Sequence, residues 1–113
     1  MINDKIEITL NEKKYQARMD FKAIAETQWT LDTERGKFLT VPNIIKGLVD
    51  GNLVIIGELL IQCILRCHPQ LDHEIIYSNM KYAELKNIND AVGELIKASL
   101  PQDKDDKKKE KEN

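Results

Sequence analysis

The chain changes hydrophobic period at a single residue. Ile6, Ile8 and Leu10 alternate with polar neighbours, and Tyr15, Ala17 and Met19 do the same. Period two is the pattern of strands with one buried face. Between them Asn11-Glu12-Lys13-Lys14 has no apolar residue and suits a hairpin turn, with Asn11 able to adopt a left-handed or Asx-type conformation. From Asp20 the spacing is helical. Phe21, Ile24, Ala25 and Gln28-Trp29 recur at three and four, and Asp20 is placed to cap the helix start. A hairpin over residues 4–19 therefore feeds directly into an amphipathic helix.

Further helices follow. Asp32 to Lys37 is polar, contains Gly36 and reads as a loop. Thr40-Val41-Pro42 predicts a second helix start, with Thr40 as cap and proline in the first turn. Ile44, Ile45, Leu48 and Val49 form its apolar stripe, and Gly51 is free to take the positive φ of a C-terminal cap. Leu53 to His68 reads as the central helix, apolar around most of its circumference and so covered on several sides. Pro69 stops it, because the residue before a proline is pushed out of the α region. A short helical piece starts at Asp72, and a last helix runs from Lys81 to Ser99 with Tyr82, Leu85, Ile88, Val92, Leu95 and Ile96 on its core face. The expected class is α+β, mostly α: a hairpin, then a bundle of four to five helices over residues 20–100.

Residues 102–113 have no apolar side chain, and five lysines balance five acids. Ordering a residue costs about 1–2 kcal/mol, and nothing in this stretch offsets that cost by burial, so a disordered tail is expected after a single domain at 1–101. The 113-residue length suits one domain, and 42% apolar residues can supply a core. A net charge of −2 and an aromatic content of 5% argue against a nucleic-acid surface. The N-terminus shows no apolar secretory segment, and no stretch is long and apolar enough for a membrane span, so the expectation is cytoplasmic.

Reactive chemistry is sparse. Cys63, Cys67, His68 and His73 place four possible metal ligands close together in sequence, with the two cysteines one helical turn apart. Their spacing matches neither a zinc knuckle nor a haem attachment, and both cysteines fall within an apolar helix, where cysteine behaves as a small hydrophobe. No metal or cofactor is therefore expected. Cys67 and His68 are adjacent on a helix and point about 100° apart, which does not make a nucleophile and base. Glu7 and Glu12, or Asp20 and Glu26, are not a catalytic carboxylate pair, and no phosphate-binding glycine loop or nucleophile elbow occurs. Gly47, Gly51 and Gly57 suit caps or close helix packing. Trp29, the single tryptophan, is expected to fill space between the hairpin and the central helix, with an exposed partner anchor as the alternative.

Two segments carry a resemblance. Ile8-Thr9-Leu10-Asn11-Glu12-Lys13-Lys14-Tyr15 followed by Asp20-Phe21-Lys22-Ala23-Ile24-Ala25-Glu26 resembles the tail assembly chaperones of long-tailed bacteriophages and prophages. In that family a strand ending in Leu-Asn precedes a turn, often with glycine, then a lysine-containing strand and a helix opening Phe-Lys-Ala. Glu12 stands where glycine is frequent. The likeness covers roughly the first thirty residues and thereafter rests on helix order. It implies a non-catalytic protein of the host bacterial cytoplasm that coats the tape measure protein, helps tail tube protein polymerise around it and is absent from the finished virion. It also implies a longer form made by ribosomal frameshifting, for which the codons of Lys107-Lys108-Lys109 are a candidate position.

A helix-binding chaperone needs apolar surface rather than a reactive centre. Ile44, Ile45, Leu48 and Ile55, with Trp29 as a further anchor, are the expected partner-binding residues, and surplus apolar surface also permits a homo-oligomer. The free edge of the hairpin is a second candidate, guarded by Lys5, Lys13 and Lys14. The competing functional class is a small helical DNA-binding regulator, with Asp50-Gly51-Asn52 as the turn of a helix-turn-helix. Its recognition helix would open Leu53-Val54-Ile55-Ile56, which offers nothing to base edges.

Overall fold

The computed structural model describes residues 4–32 and 38–99. Among these, an antiparallel hairpin of β1 (Lys5–Leu10) and β2 (Lys13–Arg18) precedes α1 (Phe21–Thr30), α2 (Val41–Val49), α3 (Leu53–Cys67), α4 (His73–Ser78) and α5 (Leu85–Ser99). A 3₁₀ turn at Tyr82–Glu84 leads into α5. The architecture is α+β and mostly helical, as the period switch predicts. Residues 33–37 of the loop expected over Asp32 to Lys37, the tail expected over 102–113 and the Lys107-Lys108-Lys109 position lie outside the described residues.

The hairpin turn is tighter than its polar stretch suggests. Asn11 and Glu12 alone form it, both in the left-handed region at φ 51° and 66°, while Lys13 and Lys14 pair in β2 opposite Leu10 and Thr9. Two left-handed residues make the mirror-image turn whose twist matches that of the strands. Long-range hydrogen bonds hold it. The Asn11 backbone N–H donates to the Glu84 carboxylate at 3.1 and 3.3 Å, and Asn11 Nδ2 donates to Asn79 Oδ1 at 3.2 Å. Asn79 Nδ2 then donates to the buried Tyr15 hydroxyl at 2.9 Å.

Four helix starts carry side-chain caps, and three of them, Asp20, Thr40 and Asp72, stand where the sequence predicts. The side chains of Asp20, Thr40, Asn52 and Asp72 accept from backbone N–H groups of the first turns, and caps of this kind are worth about 1 kcal/mol each. Gly51 ends the α2 corner at φ 78°, where other residues are strained.

Helix α3 is the axis of the core. Every residue from Ile55 to Ile64 is buried, beneath the hairpin and the neighbouring helices. The inner face of the hairpin, Ile8, Leu10, Tyr15 and Ala17, is buried, with β2 lying on α3 and β1 on α5. Helix α1 lies on α3 through Ala23 and Thr27, not through the Phe21 and Trp29 stripe that the periodicity suggests. Small residues let the two backbones approach closely, and the Thr27 hydroxyl satisfies itself on the Ala23 carbonyl at 2.8 Å. Phe21 is 88% exposed. Asp20 also receives Arg66 of α3, with guanidinium–carboxylate distances of 2.9 Å. That guanidinium holds the Asp20 carboxyl below the usual carboxylate range.

No single helix among the described residues is long and apolar enough to cross a membrane. Helices α2 and α3 together have that length and composition, but they are bent by 114° at the break between them.

Candidate partner-binding surface

Helix α2 is apolar on two sides and packs against α3 with only one of them. Ile44, 2% exposed, and Gly47 face inward. A Cβ at Gly47 would collide with Cδ1 of Ile55, so this glycine sets the close approach of the two helices. Ile44 and Ile55 therefore belong to the core and offer no surface to a partner, contrary to the expectation from sequence. The reason is register: the stripe that looked like one face is split by the helix, and its inner half meets α3. Leu48 is half-buried against the core. Val41, Ile45 and Val49, four residues apart, stay exposed on the outer side, Val49 at 80%.

Trp29 does not fill space beneath the hairpin. It is 69% exposed and its ring stacks on Phe38 at 5.8 Å and 22°. The Gln28 side-chain amide donates to the Leu39 carbonyl and ties the segment before α2 to α1. Burial of α1 through Ala23 and Thr27 turns Trp29 outward.

A groove of about 230 Å³ opens where the first turn of α3, the end of α4 and the 3₁₀ turn meet. Leu53, Ile56, Tyr77, Met80, Tyr82 and Leu85 line it, with Lys81 at the rim. Tyr82 is 77% exposed and does not join the core face of the last helix, because the chain enters α5 through a 3₁₀ turn that changes its angular position. Helix α4 is held in place by a buried carboxylate. His73 Nε2 donates to Glu58 at 2.9–3.0 Å, and Gln62 Nε2 donates to Glu58 Oε2 at 2.8 Å. The His73 ring stands edge-on to Tyr77, with centroids 6.0 Å apart, and so orients one wall of the groove.

The four possible metal ligands are not brought together. Cys63 is fully buried, and burial pushes its thiol well above the usual range. Cys67 is half-buried, His73 is engaged by Glu58, and His68 Nε2 accepts the Gln16 backbone N–H at 3.0 Å. That bond fixes the neutral His68 ring as the Nδ1–H tautomer and assigns it to docking β2. Among the described residues, no group of three or more His, Cys, Asp or Glu side chains is placed to hold a metal ion.

Sequence reasoning did not single out Tyr77, Met80 or Tyr82 as part of a candidate surface. The signal available was length. A helix of six residues between Asp72 and Asn79 cannot bury both Ile75 and Tyr77 along with Ile76, and Tyr82 lies just beyond that break. No protein-family model, curated protein or solved structure matches this chain.

Proposed function

We propose that the chain is a non-catalytic tail assembly chaperone of long-tailed bacteriophages or prophages. In this reading it binds amphipathic helices of the tape measure protein and keeps them soluble while tail tube protein assembles, in the host bacterial cytoplasm and outside the finished virion. The observation that carries the binding role is the apolar groove of Leu53, Tyr77, Met80 and Tyr82, continued in kind by the exposed outer face of α2. Exposed apolar surface on this scale, in a protein with a well-filled core, fits a helix-in-groove partner better than a substrate. The phage assignment rests on the likeness carried by Ile8–Tyr15 and Asp20–Glu26. Co-expression with the tape measure protein that this reading expects to be encoded beside it tests both parts. Tyr82→Asp and Leu53→Asp are expected to abolish co-purification while the helical circular dichroism is kept. Unchanged co-purification overturns the groove, and no association of the wild-type chain with any tape measure protein overturns the assignment.

The 114° corner between α2 and α3 lies within the range of a helix-turn-helix and favours the DNA-binding alternative on geometry. Burial opposes it. A recognition helix must lie in the major groove, whereas α3 is buried from Ile55 to Ile64 and exposes only Leu53 and Val54 at its start.

A further inference from the structure

The two edges of the hairpin are finished differently. With a two-residue turn, Leu10 and Lys13 are a hydrogen-bonded pair, and so are Ile8 with Tyr15 and Ile6 with Ala17. The intervening residues then turn their backbone groups outward: Glu7 and Thr9 on β1, Lys14 and Gln16 on β2. The Gln16 N–H confirms this parity, since it donates outward to His68 Nε2. The β2 edge is thereby tied to the end of α3. No hydrogen bond among the described residues reaches the outward backbone groups of Glu7 or Thr9. Beside them runs a trough of about 390 Å³, walled by β1 and floored by Asn87, Asp90, Ala91 and Glu94 of α5.

We infer that the β1 edge and this trough form a second docking site, which takes an extended basic segment of a partner protein as a third strand. Backbone groups of Glu7 and Thr9 supply the strand-addition ladder. Side chains of the added strand would alternate between the solvent side, beside Glu7, and the α5 side, beside Asp90 and Glu94. Three carboxylates line the trough with no lysine or arginine among the lining residues. Lys86 compensates only Asp90, at 3.0 Å along the same helix. Lysine or arginine at alternate positions would all point to one side, the α5 side, where Asp90 and Glu94 stand. A second copy of this chain is disfavoured by the same charges. Edge-to-edge pairing of two β1 strands would bring α5 against its equivalent and set Asp90 and Glu94 near their own counterparts. This site shares no residue with the apolar groove and does not depend on it.

The test is titration of the full chain with a short synthetic peptide of alternating lysine and threonine, followed by amide NMR. Binding should shift the Glu7 and Thr9 amides and slow their hydrogen exchange, which diffuse attraction to a charged surface would not do. Asp90→Lys combined with Glu94→Lys, both on the exposed side of α5, should weaken binding about tenfold or more. Thr9→Pro, which removes only an outward N–H, should abolish the exchange protection. Tyr82→Asp should leave peptide binding unchanged, so failure here and failure of the groove are separable. Equal binding of a control peptide of alternating glutamate and threonine, shifts that spare Glu7 and Thr9, no binding at all, or dimerisation through β1 would each overturn the proposal.

Discussion

Helix α3 is covered by β2, α1, α2, α4 and α5, whereas α2 rests on α3 and leaves Val41, Ile45 and Val49 in solvent. Both helices are strongly apolar. The difference lies in how many neighbours each acquires. A helix that is apolar all round is a core helix only when it is enclosed; with one neighbour the same character becomes a binding face. Gly47 sharpens the contrast, because it lets α2 approach α3 closely on one side and so leaves the other side outermost.

The largest expected effect is in α3. Leu60→Ala removes a fully buried side chain and should lower stability by about 3–4 kcal/mol in urea unfolding. A loss under about 1 kcal/mol would mean that α3 is not the enclosed axis. At the seam between the helices, Gly47→Ala gains about 1 kcal/mol of helix propensity. It loses more by pressing on Ile55, for which overpacking costs about 1–3 kcal/mol. A net loss of about 1 kcal/mol is expected, with partial recovery in the double variant carrying Ile55→Val, where the colliding Cδ1 is gone.

The α1–α3 contact adds a pH dependence with a defined sign. Arg66 lowers the folded-state pKa of Asp20, so the pair stabilises the fold at neutral pH. That contribution is present above the ordinary carboxylate value of about 4 and is lost as pH falls through the lowered one. Asp20→Asn keeps a good helix cap but not the ion pair, so it should cost about 1 kcal/mol at pH 7. The gap between wild type and variant in urea midpoint should close progressively below about pH 4. A gap that stays constant across that range would remove the Arg66 pair from the account. The smallest effect is on the outer face of α2. Val49→Ser should change stability by less than about 0.5 kcal/mol. A loss above about 1 kcal/mol, with a lighter species in sedimentation, would show that α2 is covered by self-association.

The sequence carried the element order, the caps at Asp20, Thr40 and Asp72 and the stop at Pro69, because these depend on neighbours along the chain. It also carried α3 as the core, since Leu53–Cys67 has too few polar positions to face water. The candidate surface was only partly legible. The α2 stripe was visible as Ile44, Ile45 and Leu48, yet which member turns inward depends on the angle at which α2 meets α3. Spacing alone assigns Tyr82 inward and leaves Trp29 either a core filler or an exposed anchor, and Trp29 stands exposed. Ala23 and Thr27 won the α1 contact because they allow closer approach, and a 3₁₀ turn moved Tyr82 off the face of α5.

By itself, then, the sequence determined the elements, the turns between them and the lack of a recognisable reactive motif, all of which follow from local periodicity and backbone preference. Only the tertiary structure decided which apolar residues are core and which are surface. It also decided that His68 closes one hairpin edge while Glu7 and Thr9 leave the other open. Burial and edge protection belong to pairs of elements far apart in the chain, and no local pattern states which pairs will meet.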